Sequence, residues 1–186
     1  GMCNNMVEFR WHGRGGQGSV TAAELIATAA FTAGVFSQAF PAFGVERRGA
    51  PVQAFVRFSD EKIRLRSQVY EPDYVIVQDS TLIRDVNVFS GMKDGGLVLI
   101  NTEKKGEYNV PAGVKVIAFD ATKIAIEEIG LPITNTTLMG AFAAASGEIT
   151  LEALKGAIEE RFPGKLAVTN FAAAKRAYEM IQEGAY

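Results

Sequence analysis

The stretch VEFRWHGRGGQG, residues Val7 to Gly18, decides how the chain is read. Val7, Phe9 and Trp11 fall on one side and Glu8, Arg10 and His12 on the other, the period of two that marks a strand with one polar-contacting face. The glycine loop at Gly13, Gly15, Gly16 and Gly18 ends that strand. Residues 21–33, TAAELIATAAFTA, are helix-length and apolar nearly all round, and their alanines permit close approach to a sheet. Gly34 is placed as a C-cap, and residues 35–40 read as a second strand. Strand, glycine loop, helix and strand in that order make one end of a doubly wound sheet.

Working outward, residues 41–51 (PAFGVERRGAP) form an irregular loop with two adjacent arginines. Residues 52–58 and 62–66 alternate around Ser59-Asp60-Glu61, which predicts a hairpin. Residues 74–78, 96–100 and 115–119 are short apolar runs of the kind found in parallel strands buried on both faces. After Pro132 the pattern turns helical at 135–146, 151–162 and 169–182, with Thr150 and Thr169 as N-caps and Gly147 and Gly164 as stops. The expectation is one domain over 1–186. Its class is α/β: three layers, doubly wound, a mostly parallel sheet with a β-hairpin insertion, and a helical C-terminal third.

Composition narrows the function. With 19 basic and 21 acidic residues the net charge is -2, which gives no broad cationic surface for a phosphate backbone and argues against a nucleic-acid partner. Cys3 is the only cysteine, so the chain can form no internal disulfide and cannot hold an iron-sulfur cluster, which takes about four cysteine ligands. A single histidine, His12, excludes the usual multi-histidine zinc sites. Residues 2–8 carry no basic-then-apolar leader and no apolar run has the ~18–20 residues of a membrane span, so the expectation is a cytoplasmic protein without a membrane partner. Gly1 ahead of Met2 is read as left over from cloning.

Two loops carry the candidate chemistry. Gly13-x-Gly15-x-x-Gly18 has the spacing of a dinucleotide fingerprint, in which backbone free of side chains lets phosphate oxygens reach amides at a helix N-terminus. The acidic residue expected ~20 positions on is missing at Gln38-Ala39-Phe40-Pro41, which speaks against NAD. Arg14 and Gln17 add donors suited to an anion, so the loop is either an anion cradle or a structural strand-to-helix turn. The second loop, Glu46-Arg47-Arg48-Gly49, reads as a solvated charge cluster or as an interface, and the company of Phe40, Phe43 and Val45 favours an interface. No nucleophile stands at a recognisable spacing to His12, which is taken as structural, and Asp79 is taken to cap a helix. The small-residue run at 139–145 is assigned to the core.

Taken together, RWHGRGGQG at 10–18, TAAELIA at 21–27, QAFPAFGVERRGAPVQAFVR at 38–57, YEPDYVIVQD at 70–79 and NTTLMGA at 135–141 resemble the gamma subunits of the pyruvate:ferredoxin oxidoreductase family. The FPAFGVERRGAP form is closer to pyruvate-type subunits than to those acting on 2-oxoglutarate, whose loop reads nearer YGPEMRGG. Relatives handling branched-chain 2-oxoacids also fit. The resemblance implies an enzyme that oxidatively decarboxylates a 2-oxoacid to an acyl-CoA with electrons passing to ferredoxin, or the reverse. It implies that thiamine diphosphate, Mg and the iron-sulfur clusters sit on alpha, beta and delta subunits, and that this chain has no catalytic or metal-binding residue. It makes Gly13, Arg14, Gly15, Gly16, Gln17 and Gly18 candidate contacts to a phosphate of coenzyme A. Phe43, Glu46, Arg47, Arg48 and Gly49 become candidates for a subunit interface. The alternatives are a freestanding NAD(P)-binding oxidoreductase, which cofactor titration would reveal, and a homo-oligomeric scaffold.

Overall fold

The computed structural model describes residues 6–42 and 47–186. Six strands, β1 (Val7–Arg14), β2 (Phe36–Pro41), β3 (Pro51–Ser59), β4 (Tyr74–Val77), β5 (Leu97–Asn101) and β6 (Lys115–Phe119), form one sheet in the order β2-β3-β1-β4-β5-β6. β1, β4, β5 and β6 are parallel neighbours, while β3 is antiparallel to both β1 and β2. The helices are α1 (Ser19–Thr32), the short α2 (Leu82–Asp85), α3 (Ala121–Ile129), α4 (Asn135–Ser146), α5 (Leu151–Arg161) and α6 (Gly164–Gln182).

The alternation read in the sequence sorts side chains onto the two faces. Phe9, Trp11, Ile76, Leu99 and Ile117 join a core with residues of α1 and α3 through α6, whereas Val75, Val77, Val98 and Ile100 join Leu82, Val88, Phe89 and Met92 on the opposite face. All the long helices therefore lie on one side. The other layer is thin, made of α2 and irregular segments, and its backbone carbonyls need donors. Two buried arginines supply them. Arg10 on β1 donates to the carbonyls of Val88 (3.0 Å) and Ser90 (2.7 Å). Arg57 on β3, 1% exposed, donates to the carbonyls of Ser67 (2.6 Å) and Gln68 (3.1 Å) and pairs with Glu8 at 2.7 Å. Burial brings the Arg10 guanidinium down to about 10, which leaves it charged at neutral pH.

Four sequence expectations are corrected. The strand does not stop at Trp11: β1 runs on to Arg14, with Gly13 and Arg14 paired to Val52 and Pro51 of β3. Residues 52–58 do not form a hairpin with 62–66, because β3 already has β1 on one edge and β2 on the other. The antiparallel pair is β2 with β3, and it separates β2 from β1. Thr169 is not an N-cap, nor is Gly164 a stop. Phe162 and Pro163 are extended, α6 begins at Gly164, and Thr169 lies inside it with its hydroxyl donating to the carbonyl of Leu166 at 3.3 Å. By contrast α4 has the predicted bounds, and the Thr150 hydroxyl accepts from the amide of Ala153 as an N-cap should.

Candidate functional site

The carboxyl ends of β1, β4 and β5, with the N-termini of α3 and α4, open onto a cleft of about 830 Å³. Gly16, Gln17, Asp79, Lys104 and Lys123 are among its lining residues. It lies where the chain turns from β1 toward β2 on one side and to β4 on the other, the place where open α/β sheets form crevices.

Gln78 is the hub of the site's floor. It is 2% exposed, and its side-chain carbonyl accepts from Trp11 Nε1 (2.8 Å) and from the Ser19 hydroxyl (2.8 Å). Its amide nitrogen donates to the Gln17 carbonyl (2.9 Å) and the Thr134 hydroxyl (3.1 Å). One side chain thus ties β1, the glycine loop and the approach to α4. Next along, Asn101 donates to the Gln78 carbonyl (3.1 Å) and accepts from the Ala121 amide (2.9 Å), which fixes the start of α3.

The glycine loop is packed and hydrogen-bonded against the rest of the protein. A Cβ on Gly13 would meet the Ser19 hydroxyl at 2.0 Å, and one on Gly15 would meet the Arg47 carbonyl at 2.0 Å, so both positions exclude a side chain. Gly16 and Gly18 have φ of 94 and 75, where L side chains are strained. The Gly15 amide donates to the Ala50 carbonyl (2.8 Å) and the Gly49 amide to the Gly15 carbonyl (3.0 Å), so the two candidate loops are clasped together. Arg14 is engaged as well: its guanidinium donates to the Thr81 hydroxyl (2.8 Å) and the Gly49 carbonyl (3.0 Å) and pairs with Asp79 at 3.3 Å. Gln17 accepts from the Arg14 amide (2.8 Å) and donates to Asp79 (3.1 Å).

Asp79 is not the cap expected of it: the N-cap of α2 is Thr81, and no side chain caps the helix. The other oxygen of Asp79 accepts from the amide (3.0 Å) and hydroxyl (2.6 Å) of Thr81, which supports the turn into α2. Burial alone would raise its carboxyl. The Thr81, Gln17 and Arg14 contacts outweigh burial and hold it below the usual carboxylate value, so it is ionised at neutral pH.

A family model described as pyruvate ferredoxin/flavodoxin oxidoreductase matches residues 8–180. The chain belongs to the pyruvate ferredoxin/flavodoxin oxidoreductase family. It is 55% identical to the pyruvate synthase subunit PorC of Methanocaldococcus jannaschii over 96% of this chain and 99% of that one. It is 51% identical to the pyruvate/ketoisovalerate oxidoreductases common subunit gamma of Thermococcus litoralis, over 94% of this chain and 96% of the relative. Among solved structures it is similar to the pyruvate oxidoreductase subunit PORC of Thermotoga maritima, with a TM-score of 0.83, 39% identity and coverage of 94% and 96%.

In this pyruvate oxidoreductase family member the structure brings Gly13 through Gly18 together with Arg47, Arg48 and Gly49, through contacts between Gly15 and the second loop. Arg47, Arg48 and Gly49 are exposed. Phe43 and Glu46 lie outside the described residues. Sequence reasoning missed Gln78, Ser19, Thr134 and Asn101. The available signal was a polar pair, Gln78-Asp79, placed at the end of an apolar strand, where side chains reach the carboxyl edge of the sheet.

His12 lies on the face away from the long helices, 3% exposed, and its Nε2 has no hydrogen-bond partner among the described residues. Burial, with the charge of Arg10, pushes its imidazole down to about 3. It is neutral in the folded chain, as suits a structural residue. An unfolded imidazole titrates near 6.5. The unfolded chain therefore binds the extra proton between those values, and the His12 contribution to stability is complete above about 6.5 and is lost as pH falls toward 3, by at most about 1.4 kcal/mol per pH unit. Urea midpoints at pH 7 and pH 4.5 should separate more in the parent chain than in His12→Gln. Equal separations would show that His12 does not carry the acid sensitivity.

Proposed function

We propose that this chain is the non-catalytic gamma subunit of a multi-subunit pyruvate:ferredoxin oxidoreductase in the cytoplasm, converting pyruvate and coenzyme A to acetyl-CoA and carbon dioxide with two electrons to ferredoxin, or running in reverse. The observation that carries it is the near-full-length likeness to a pyruvate synthase subunit at 55% identity. The relatives' name as a common subunit of pyruvate and ketoisovalerate enzymes supports a role indifferent to the oxoacid side chain, as a structural subunit would have. The chain's own residues do not fit an iron-sulfur cluster, since its one cysteine falls short of about four ligands. In the proposed assembly the clusters belong to partner chains, and the family resemblance assigns these, with thiamine diphosphate and Mg, to alpha, beta and delta subunits. No helix among the described residues is long and apolar enough to cross a membrane.

Within that assembly the chain holds and orients; it makes no bond itself. The Gly13–Gly18 loop shapes one wall of the coenzyme A site. Gly16 and Gln17 line the cleft with the exposed Lys104 and Lys123, which supply its phosphate contacts beside the carboxylates of Glu103, Asp120 and the Arg176-paired Glu127, while Arg14 and Gln17 are held by Asp79. The exposed Arg47 and Arg48 face a partner subunit.

Purifying the chain from its own cells without oxygen tests the reading. Larger cysteine-rich, thiamine-binding chains should co-purify, and the chain emerging alone would overturn it. In the purified complex, Lys104→Ala and Lys123→Ala should each raise the coenzyme A KM about fivefold, the effect of about 1 kcal/mol for an exposed ion pair, with kcat unchanged. An unchanged KM in both variants would remove these lysines from the site.

A further inference from the structure

Among the described residues the outer edge of β2 is the end of the sheet. Ala42 donates to the Gln53 carbonyl at 2.9 Å, and continuing that register inward makes Phe40 with Phe55 and Gln38 with Arg57 the hydrogen-bonded pairs. Ser37 and Ala39 consequently turn their amides and carbonyls away from β3, and among the described residues no backbone group answers them. Edge strands are commonly guarded by charges or prolines. Here residues 36–40 read FSQAF, with Pro41 only at the far end.

Beside this edge runs the segment 62–66, KIRLR, whose alternation is that of a strand and which has no strand partner among the described residues. The Gln38 side-chain amide tethers it through the Leu65 carbonyl at 2.8 Å. Between the two lies a groove of about 360 Å³, whose lining includes Phe36, Ala39 and Ile63, and whose charged lining residues among those described, Lys62 and Arg66, are both cationic.

Resting on the reading above that the chain works within a multi-subunit complex, we propose that the β2 edge and segment 62–66 form a strand-addition surface for an extended, acidic segment of a partner subunit. Ser37 and Ala39 supply main-chain hydrogen bonds, and the segment's cations select acidic side chains. A strand of about five residues, ~17 Å long, covers the edge. A second copy of the chain is the wrong occupant, because two cationic grooves would face each other with like charge.

Hydrogen exchange of the full chain, alone and in the purified complex, gives the test. The Ser37 and Ala39 amides should exchange about tenfold or more slowly in the complex. Ala39→Pro removes an outward amide while sparing the ladder to β3. It should leave the melting temperature of the isolated chain nearly unchanged and weaken capture of partner subunits about tenfold, and Arg66→Glu should weaken capture in a salt-dependent way. Equal exchange in both states, or unaltered capture by Ala39→Pro, overturns the surface while leaving subunit membership intact. A stable homodimer of the isolated chain with these same amides protected overturns the acidic occupant. If no partner chains co-purify at all, the parent reading falls and this surface with it.

Discussion

Gly140→Ala should lower the melting temperature by about 5–10 °C, although alanine is the better helix former. Gly140 sits in α4 where α6 presses against it: a Cβ there would meet the Ala174 carbonyl oxygen at 1.9 Å, its carbon at 2.5 Å and its Cα at 2.7 Å. These are backbone atoms, so no rotamer change relieves the clash and the two helices must part. Overpacking of this kind typically costs about 1–3 kcal/mol, and the backbone contact places Gly140→Ala at the upper end, beyond the gain of about 0.5–1 kcal/mol from propensity. The helices are also pinned by the Thr136 hydroxyl on Asn170 at 2.6 Å, which such a displacement strains. Gly156 on α5 is the control. A Cβ there meets nothing within 4 Å, so Gly156→Ala should stabilise by up to about 1 kcal/mol. Thermal melts of both variants decide the matter: two shifts of the same sign would show that the α4–α6 approach is not the constraint described.

Gln78→Ala should destabilise by about 3 kcal/mol or more. It strands the Trp11 indole N–H, the Ser19 and Thr134 hydroxyls and the Gln17 carbonyl together, and an unsatisfied buried group costs about 1–3 kcal/mol. The hydroxyls can turn to other acceptors, but the indole cannot. Trp11 is the only tryptophan, so the change is local and visible. Denaturant unfolding should give the loss, and the emission of the folded state should shift to the red as water reaches the ring. An unshifted spectrum with parent-like stability would mean that Gln78 is replaceable and the site's floor is held elsewhere.

Much of this architecture was legible because periodicity is local. The alternation of Val7 to Trp11, the apolar runs that became β4, β5 and β6, and the bounds of α4 all follow from residues near one another in the chain. Strand pairing does not. The segment 62–66 has the right pattern and the right distance for a hairpin with β3, yet the edge it needs is taken by β2, which nothing within that segment reports. Likewise Gly164 after Phe162-Pro163 looks like a helix stop, but the extended Pro163 serves as the N-cap position of the next helix.

The glycine loop was legible as a loop and its purpose was not. Its spacing suggests phosphate, whereas the reason for Gly13 is Ser19 and the reason for Gly15 is the carbonyl of Arg47. The reason at Gly15 exists only after the chain has brought distant residues together, as does the hub role of Gln78. A fingerprint made of small residues records that something comes close without saying what.

The two buried arginines carry a consequence for the order of folding. Arg10 reaches carbonyls 78 and 80 residues away, and the helical face spans longer separations still, with Phe9 of β1 packed on Phe142 of α4. Such contacts form only after long loops have closed, and their entropy makes them slow. The opposite layer should therefore close late, as the helical face does. Until then Arg10 and Arg57 stand in water fully charged, so the half-built molecule carries its own cationic face, a deterrent to association during the interval when strand edges are most exposed.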